Sequence, residues 1–362
     1  MADPRASRLA RLLVTYCRGV RRGEKVLLRG PTAAEPLLVE LGREVLRRGG
    51  HPMYRMTPNR ATEVFYAEAA PHQLQFVPRS AMATAREADH TITVLAETNT
   101  QALAGVEPKK QTLVQKAHRR LQDYILSKRH WTLALWPTEA YAQDAGMSLE
   151  AFEDFAFAAC GVDRRDPVAV WKKARALQQK IIRRLRGADR IRIVGPDTDL
   201  VLRVKGRKWI PCAGEHNMPD GEVFTGPLET SAEGHIRYTY PVCYRGREVA
   251  DVRLEFEGGR VVRASAAKNE AFLRAMLETD PGARRLGELG IGTNFGIRRF
   301  IKNILFDEKI GGSVHLALGR SYPETGGRNR SAIHWDMICD LRRGGYIEVD
   351  GKVLQADGKF RV

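Results

Sequence analysis

The change in hydropathy pattern near residue 190 constrains the fold of this chain more than any other feature. Before that point, short apolar segments alternate with amphipathic segments of ten or more residues. The predicted strands are 25–30, 51–58, 90–97 and 130–137, and the predicted helices include 5–18, 31–50 and 109–128. Such alternation is typical of βαβ units with a parallel sheet covered by helices. We therefore predict a parallel-sheet α/β domain over residues 1–189.

After residue 190 the chain takes the pattern of short alternating strands, which is typical of antiparallel sheets. The segments with this pattern are 190–212, 236–266 and 344–362. Helical patterns interrupt them at 269–278 and 297–306. We predict a β-rich C-terminal domain over residues 190–362, so the fold class is α/β plus α+β.

Length and composition exclude several protein classes. The chain has 362 residues, of which 43% are hydrophobic, so it is long enough to bury a large core. It contains no run of about 18 uncharged apolar residues, so we predict no membrane partner. Arg5, Arg8 and Arg11 interrupt the apolar N-terminus, against a signal peptide. Five widely spaced cysteines without a C-x-x-C motif fit a reducing compartment, and we predict a cytoplasmic location.

The net charge of +16 raises the question of nucleic acid. The densest basic run, 171–187, has apolar positions at three- and four-residue steps, which predicts an amphipathic helix with a solvated basic face. Basic residues are otherwise spread along the chain, and only 7% of residues are aromatic, so stacking partners for bases are few. The sequence therefore disfavours nucleic acid as a partner. The first half also lacks the glycine fingerprints of nucleotide-binding folds.

Residues that can bind metal ions gather in the C-terminal half, in short apolar segments interrupted by glycine. His334 and Asp336 are two residues apart in AIHWDMI, so a strand there would place both side chains on one face, with Ile333 and Trp335 buried behind. GELGIGTN, by contrast, is typical of a tight turn whose glycines supply positive φ. The full set of candidate ligands is Glu222, Glu288, His315, Tyr322, His334 and Asp336.

Each candidate ligand has an ordinary structural alternative when it is taken alone. A strand histidine can satisfy its ring nitrogens in the core, and a lone glutamate can be a surface carboxylate or a helix cap. Taken together, three buried carboxylates are costly unless cations neutralise them. A single catalytic zinc ion needs about three protein ligands. Six candidates, three of them acidic, therefore favour two divalent ions bridged by a carboxylate.

Four segments carry a resemblance to a known family: NMPDGEVFTGP, LGELGIGTN, ILFDEKIGGSVHLALGRSYP and NRSAIHWDMICD. With these segments the chain resembles the aminopeptidase T / aminopeptidase S family of bacterial metalloaminopeptidases. The resemblance implies a two-domain chain, a homodimer, and the removal of N-terminal amino acids from peptides with a free N-terminus. It also implies a dinuclear zinc or cobalt site, whose ligands fall on Glu222, Glu288, His315, Tyr322, His334 and Asp336.

Two glutamates are candidates for catalysis within this hypothesis. Glu288 is predicted to be the bridging ligand or the proton shuttle. Glu308, in FDEK, is the next candidate for a general base, and its alternative is a salt bridge with Lys309 or a neighbouring arginine. Three other functions remain open from the residues alone: a metallohydrolase acting on another amide or ester, a basic nucleic-acid-binding protein, and a catalytically silent scaffold.

Overall fold

A computed structural model gives the fold of the chain over residues 3–128, 130–244 and 246–362. Over these residues the α-helices are α1 Pro4–Leu12, α2 Glu35–Arg47, α3 Ala61–Glu68, α4 Pro71–Leu74, α5 Arg79–Glu87, α6 Pro108–Ser127, α7 Glu139–Asp144, α8 Leu149–Ala159, α9 Pro167–Leu185, α10 Glu270–Leu277 and α11 Ile304–Asp307. The first ten strands are β1 Lys25–Pro31, β2 His51–Thr57, β3 His90–Leu95, β4 Trp131–Leu135, β5 Arg190–Gly195, β6 Thr198–Arg203, β7 Ile210–Cys212, β8 Asn217–Met218, β9 Glu222–Thr225 and β10 Glu233–Arg237. The remaining strands are β11 Val242–Tyr244, β12 Arg247–Val249, β13 Arg253–Glu257, β14 Arg260–Ser265, β15 Leu286–Gly292, β16 Ser313–Gly319, β17 His334–Asp340, β18 Tyr346–Val349, β19 Lys352–Ala356 and β20 Lys359–Phe360.

The first sheet has the strand order β2-β1-β3-β4-β8, and its neighbouring strands are all parallel. In β1 the side chains of Val26, Leu27 and Leu28 are all buried, although they alternate in direction. A strand buried on both faces reads as a continuous apolar run, which is why this sequence pattern indicated a parallel sheet. The predicted parallel-sheet α/β architecture of the first half is confirmed.

The chain divides into two compact units that are interleaved in sequence. One contains the residues up to Val168 together with Gly214–Pro219, and the other contains Ala169–Ala213 and Asp220–Val362. The short excursion carries β8, which pairs with β4 in the first sheet. The predicted domain boundary after residue 189 stays a prediction.

The second unit is built from antiparallel sheets, as predicted. An eight-stranded sheet has the order β14-β13-β10-β6-β5-β18-β19-β20, and a five-stranded sheet has the order β17-β16-β15-β9-β7. The β11 and β12 strands form a separate pair. One apolar core takes side chains from both large sheets, for example Ile193 and Leu200 from the first and Leu316 and Trp335 from the second. The β-rich character of the C-terminal half is confirmed.

The predicted basic helix is present as α9, which buries Trp171, Ile181 and Leu185 on one side. The predicted helix over 297–306 is wrong for most of its length, because only α11 forms at its end. Lys302 adopts a φ of 62°, a left-handed conformation that interrupts a helix, and Asn303 then caps α11 by accepting a hydrogen bond from the Leu305 amide. No helix in the described ranges has both the length and the apolar character needed to cross a bilayer.

The GELGIG segment is the inner strand β15 rather than a tight turn, so that expectation is wrong. The glycines of this strand are needed because neighbouring groups approach its backbone closely, and not because the backbone adopts a positive φ. A Cβ atom on Gly290 would lie 2.0 Å from His315 Cε1, and one on Gly292 would lie 2.0 Å from the carbonyl oxygen of Ile310. Neighbouring groups therefore occupy the space that side chains would fill on this face of the sheet.

We predict that Gly292→Ala destabilises the protein by about 2 kcal/mol or more, because the clashing atom is a backbone oxygen that no rotamer change can move. Gly105→Ala is the matched control, since a Cβ atom there meets nothing within 4 Å. The free energy of unfolding in urea, compared for the two variants and the unchanged protein, measures the difference. Equal stability of the two variants would contradict the packing argument.

Candidate metal centre

One face of the five-stranded sheet carries the polar candidates. Across β15, β16 and β17, Glu288 pairs with Ala317, and Ala317 pairs with Asp336. On the other side of β15, Gly292 pairs with Glu222 of β9. Because side chains alternate along a strand, the intervening residues Leu289, Leu316 and Trp335 turn to the opposite face and enter the core.

The side chains of this face meet in two groups that share Glu288. In the first, His315 Nε2 lies 3.1 Å from Glu222 Oε2 and 3.6 Å from Glu288 Oε1. In the second, His334 Nε2 lies 3.3 Å from Glu288 Oε2 and 3.4 Å from Asp336 Oδ2. Within each group the potential ligand atoms lie within 4.8 Å of one another. The two oxygens of Glu288 thus face two different imidazoles, which is the arrangement of a bridging carboxylate.

Backbone carbonyls fix the orientation of both imidazoles. The Nδ1 atom of His315 lies 2.9 Å from the carbonyl oxygen of Glu308, and that of His334 lies 2.7 Å from the carbonyl oxygen of Arg320. A hydrogen bond at Nδ1 leaves Nε2 directed at the carboxylates. This is the usual support for a histidine that binds metal through Nε2.

Lys309 brings a positive charge into the cluster, although the sequence alone indicates only a salt bridge with Glu308. Its ammonium lies 2.6 Å from Glu222 Oε1 and also donates to Glu308 Oε1. Lys309 is only 1% exposed, and Glu222 is 5% exposed. The sole sequence signal for this role was the position of the lysine beside an acidic pair in FDEKIGG.

The charged side chains of the cluster shift one another's pKa values. Burial raises the pKa of Glu222, but the positive charges of Lys309 and His315 outweigh it and hold that pKa at about 2. Asp336 is likewise held at a pKa of about 2 against burial, chiefly by His334. Burial lowers the pKa of both imidazoles, yet the neighbouring carboxylates raise it well above the usual range. The cluster therefore stabilises positive charge at the positions between its carboxylates.

Glu308 lies at the edge of the same cluster. Burial, only partly offset by Lys309, raises the pKa of its carboxyl group to about 7. One of its oxygens belongs to a group with His315 and Asp336 whose ligand atoms lie within 4.8 Å. The salt bridge with Lys309, which is the structural alternative for Glu308, is present, and it coexists with this position beside the candidate ligands.

Tyr322 is the outermost of the predicted ligands. Its ring packs edge-on against the imidazole of His334, with 5.1 Å between ring centres, and against Phe224 at 5.5 Å. His334 lowers the pKa of the phenol, but burial of the hydroxyl and the carboxylates of Glu288 and Asp336 raise it above its usual value overall. The structure places the tyrosine beside the cluster, while the binding of metal by its oxygen stays a prediction.

The residues present fit divalent cations. Asp336 Oδ1 is buried and has no hydrogen-bond partner within the described ranges, and Glu222 Oε2 accepts no well-aligned hydrogen bond there either. Buried carboxylate oxygens without partners are costly unless a cation satisfies them. Carboxylate oxygens and imidazole nitrogens are ligands that zinc and cobalt accept.

The chain is similar to a known family of metalloproteases. The model of the peptidase M29 family, described as thermophilic metalloproteases, matches residues 2–360. Aminopeptidase 2 of Geobacillus stearothermophilus is 28% identical over 95% of this chain and 94% of its own length. Aminopeptidase T of Thermus thermophilus is 30% identical over 71% of each chain.

Solved structures show the same likeness. The structure of wild-type AmpT from Thermus thermophilus superposes with a TM-score of 0.86 at 25% identity, covering 99% of both chains. A 2,5-dihydroxypyridine dioxygenase from Pseudomonas putida has a TM-score of 0.58 at 14% identity, covering 98% of this chain and 96% of its own, and shares the fold alone.

The chain belongs to the M29 family of metalloproteases. It is a metal-dependent peptidase, an enzyme that hydrolyses peptide bonds. The predicted resemblance and the predicted enzyme class are both confirmed. The family implies divalent metal ions, whereas the number and identity of the ions and the residues that bind them stay predictions.

We predict that His334→Ala and Glu222→Gln each weaken metal binding by at least roughly 10–100-fold, because each removes a ligand from one of the two groups that share Glu288. Metal per chain after dialysis, measured by elemental analysis, checks this. Circular dichroism should show an unchanged fold. His235→Ala removes an exposed imidazole on β10 and serves as the control. Wild-type metal content in both ligand variants would show that the assignment is wrong.

Proposed function

We propose that this peptidase is an aminopeptidase that removes N-terminal amino acids from peptides at a centre of two divalent cations. The observation that carries the proposal is the sharing of Glu288 between two groups of candidate ligands, with one oxygen turned to each imidazole. Relatives named aminopeptidase T and aminopeptidase 2 support the exopeptidase activity.

In this proposal Glu222, Glu288 and His315 hold one cation, and Glu288, His334 and Asp336 hold the other. Tyr322, beside His334, is an additional ligand, and the cations are zinc or cobalt. When bound, the cations supply an activated water molecule and a positive charge that polarises the scissile carbonyl group. The chain's own contribution is to orient these groups, through the backbone carbonyls that fix His315 and His334.

Glu308 is the residue we propose as the proton carrier. Burial raises the pKa of its carboxyl group, and this group belongs to neither of the two sets of candidate ligands that share Glu288. Its position beside His315 and Asp336 supports this role. Glu288 has both oxygens turned to imidazoles and is better suited to bridging than to moving a proton.

The substrate in this proposal is a peptide with a free N-terminus. A free α-amino group can bind one of the cations or a nearby carboxylate, whereas an acetylated amino group can do neither. We also propose a homodimer, which the resemblance implies, and a cytoplasmic location, which the absence of disulfides among the described cysteines supports. Sedimentation of the purified protein measures the oligomeric state.

We predict that a strong chelator abolishes hydrolysis of chromogenic aminoacyl amides and that added zinc or cobalt restores it, because the cluster supplies ligands for cations. Elemental analysis confirms that the metal has been removed. The same amides with an acetylated amino group should not be cleaved. Activity that persists in the metal-free protein would refute metal dependence, and cleavage of the acetylated substrate would refute the aminopeptidase.

The Glu308→Gln variant distinguishes a role in proton transfer from a role in metal binding. We predict that kcat falls by about 10²–10⁴-fold while the metal content stays at the wild-type level, since the variant loses proton transfer and keeps both groups that share Glu288. Glu324→Gln, at an exposed glutamate after β16, is the matched control. Steady-state kinetics measures kcat, and elemental analysis measures the metal content. A variant with wild-type kcat would show that Glu308 does not carry the proton.

A further inference from the structure

The chain between β16 and β17 touches one of the two candidate imidazoles at two places. We call residues 320–330 the Tyr322 segment. The carbonyl oxygen of Arg320, at the start of this segment, lies 2.7 Å from Nδ1 of His334. The ring of Tyr322 packs edge-on against the same imidazole. The orientation of His334 therefore depends on where the backbone of this segment lies.

Thr325 closes the turn that carries Tyr322. Its hydroxyl donates a hydrogen bond to the carbonyl oxygen of Tyr322 at 2.7 Å and accepts one from the amide of Gly327 at 3.2 Å. Thr325 is buried, and a Cβ atom on Gly226, just after β9, would lie 2.8 Å from this hydroxyl. The threonine thus occupies a closely fitted position from which it fixes the backbone on both sides of itself.

A largely buried ion pair holds the same segment from outside. The guanidinium of Arg207, between β6 and β7, lies 2.7 Å from Oε2 of Glu229, between β9 and β10. The other oxygen, Oε1, accepts a hydrogen bond from the amide of Arg328 at 2.6 Å. Beside the arginine, the amide of Lys208 donates to the carbonyl oxygen of Thr325 at 2.9 Å. Because the side chain of Arg207 is only 6% exposed, solvent screens this pair weakly.

We propose that Thr325 and this ion pair are positioning residues for the cation that His334 binds. The inference rests on the proposed function, in which that cation is one of two. By fixing the Tyr322 segment, the positioning residues keep Nε2 of His334 turned toward its carboxylate partners. They act on the metal centre through the segment and are not ligands themselves.

The two groups of candidate ligands differ in what orients their imidazoles. His315 is oriented by the carbonyl oxygen of Glu308, which precedes β16 and lies outside the Tyr322 segment. His334 is oriented by Arg320, which belongs to the segment. A loosened segment should therefore weaken the binding of the cation at His334 and spare the cation at His315. A general loss of stability would weaken both.

The test is a titration of the full-length metal-free protein with cobalt(II), followed by calorimetry and by elemental analysis. We expect the wild-type protein to bind two ions per chain. Thr325→Val removes the hydroxyl and keeps the size of the side chain. This variant should bind one ion with wild-type affinity and the other roughly 10–100-fold more weakly, as is usual when a partner that orients a histidine ligand is lost. Glu229→Gln removes the charge that pairs with Arg207 and should act in the same direction.

Each variant has a matched control in the same compact unit. Thr198→Val removes another buried hydroxyl, which accepts a hydrogen bond from the amide of Arg237 on β10. Asp199→Asn breaks another arginine–carboxylate pair, formed with Arg192 on β5. Both controls should bind the two ions as the wild-type protein does.

Hydrogen exchange of the metal-free proteins, read by mass spectrometry, tests the positioning role without any ion. Residues 320–330 should exchange faster in Thr325→Val and Glu229→Gln than in the wild-type protein, because the hydrogen bonds that hold them are lost. Exchange in β15 and β16 should not change. If one of the two variants fails to fold, the other carries the same test.

Wild-type affinity for both ions in the folded variants, or an equal loss of affinity for both ions, would overturn the proposal. Wild-type protein that binds fewer than two ions would instead refute the dinuclear centre. Hydrogen exchange would then decide by itself whether Thr325 and the ion pair hold the segment, so the two failures are distinguishable.

Discussion

The burial of several carboxylates on one face of a sheet is the constraint on which the rest of the second unit depends. Glu222 and Glu288 are each at most 5% exposed, and Asp336 and Glu308 lie beside them. Carboxylates that leave water must be compensated by positive charge. Lys309 and two imidazoles supply part of that charge, and the oxygens that remain without donors indicate where cations complete it.

The same strands build the core and the centre because their two faces differ in side-chain size as well as in polarity. On one face Leu289, Leu316 and Trp335 pack into the core. On the other, Gly290 leaves room for the imidazole of His315. A slip of one residue would exchange the two faces, burying charge in the core and exposing the apolar side chains. The pairing register is therefore fixed by the requirements of the core and of the centre together.

The sequence predicted those features that depend on the periodicity of side chains along a single strand. His334 and Asp336 share a face because side chains alternate along a strand, and the apolar strands of the first half indicated a parallel sheet. The sequence did not predict those features that depend on contacts between distant parts of the chain. The small size of Gly290 follows from a histidine on another strand, and β8 is two residues long, too short to have a period. The role of Lys309 depends on Glu222, 87 residues away.

Charge balance explains why a lysine belongs in such a centre. Five carboxylates lie in or beside the cluster: Asp220, Glu222, Glu288, Glu308 and Asp336. When all are ionised, they leave four negative charges after the ammonium of Lys309 is counted, and two divalent cations balance those four. Without the lysine the same cations would leave one net negative charge. Hydrolysis of an amide develops negative charge on the carbonyl oxygen, so a centre without net negative charge opposes that change less.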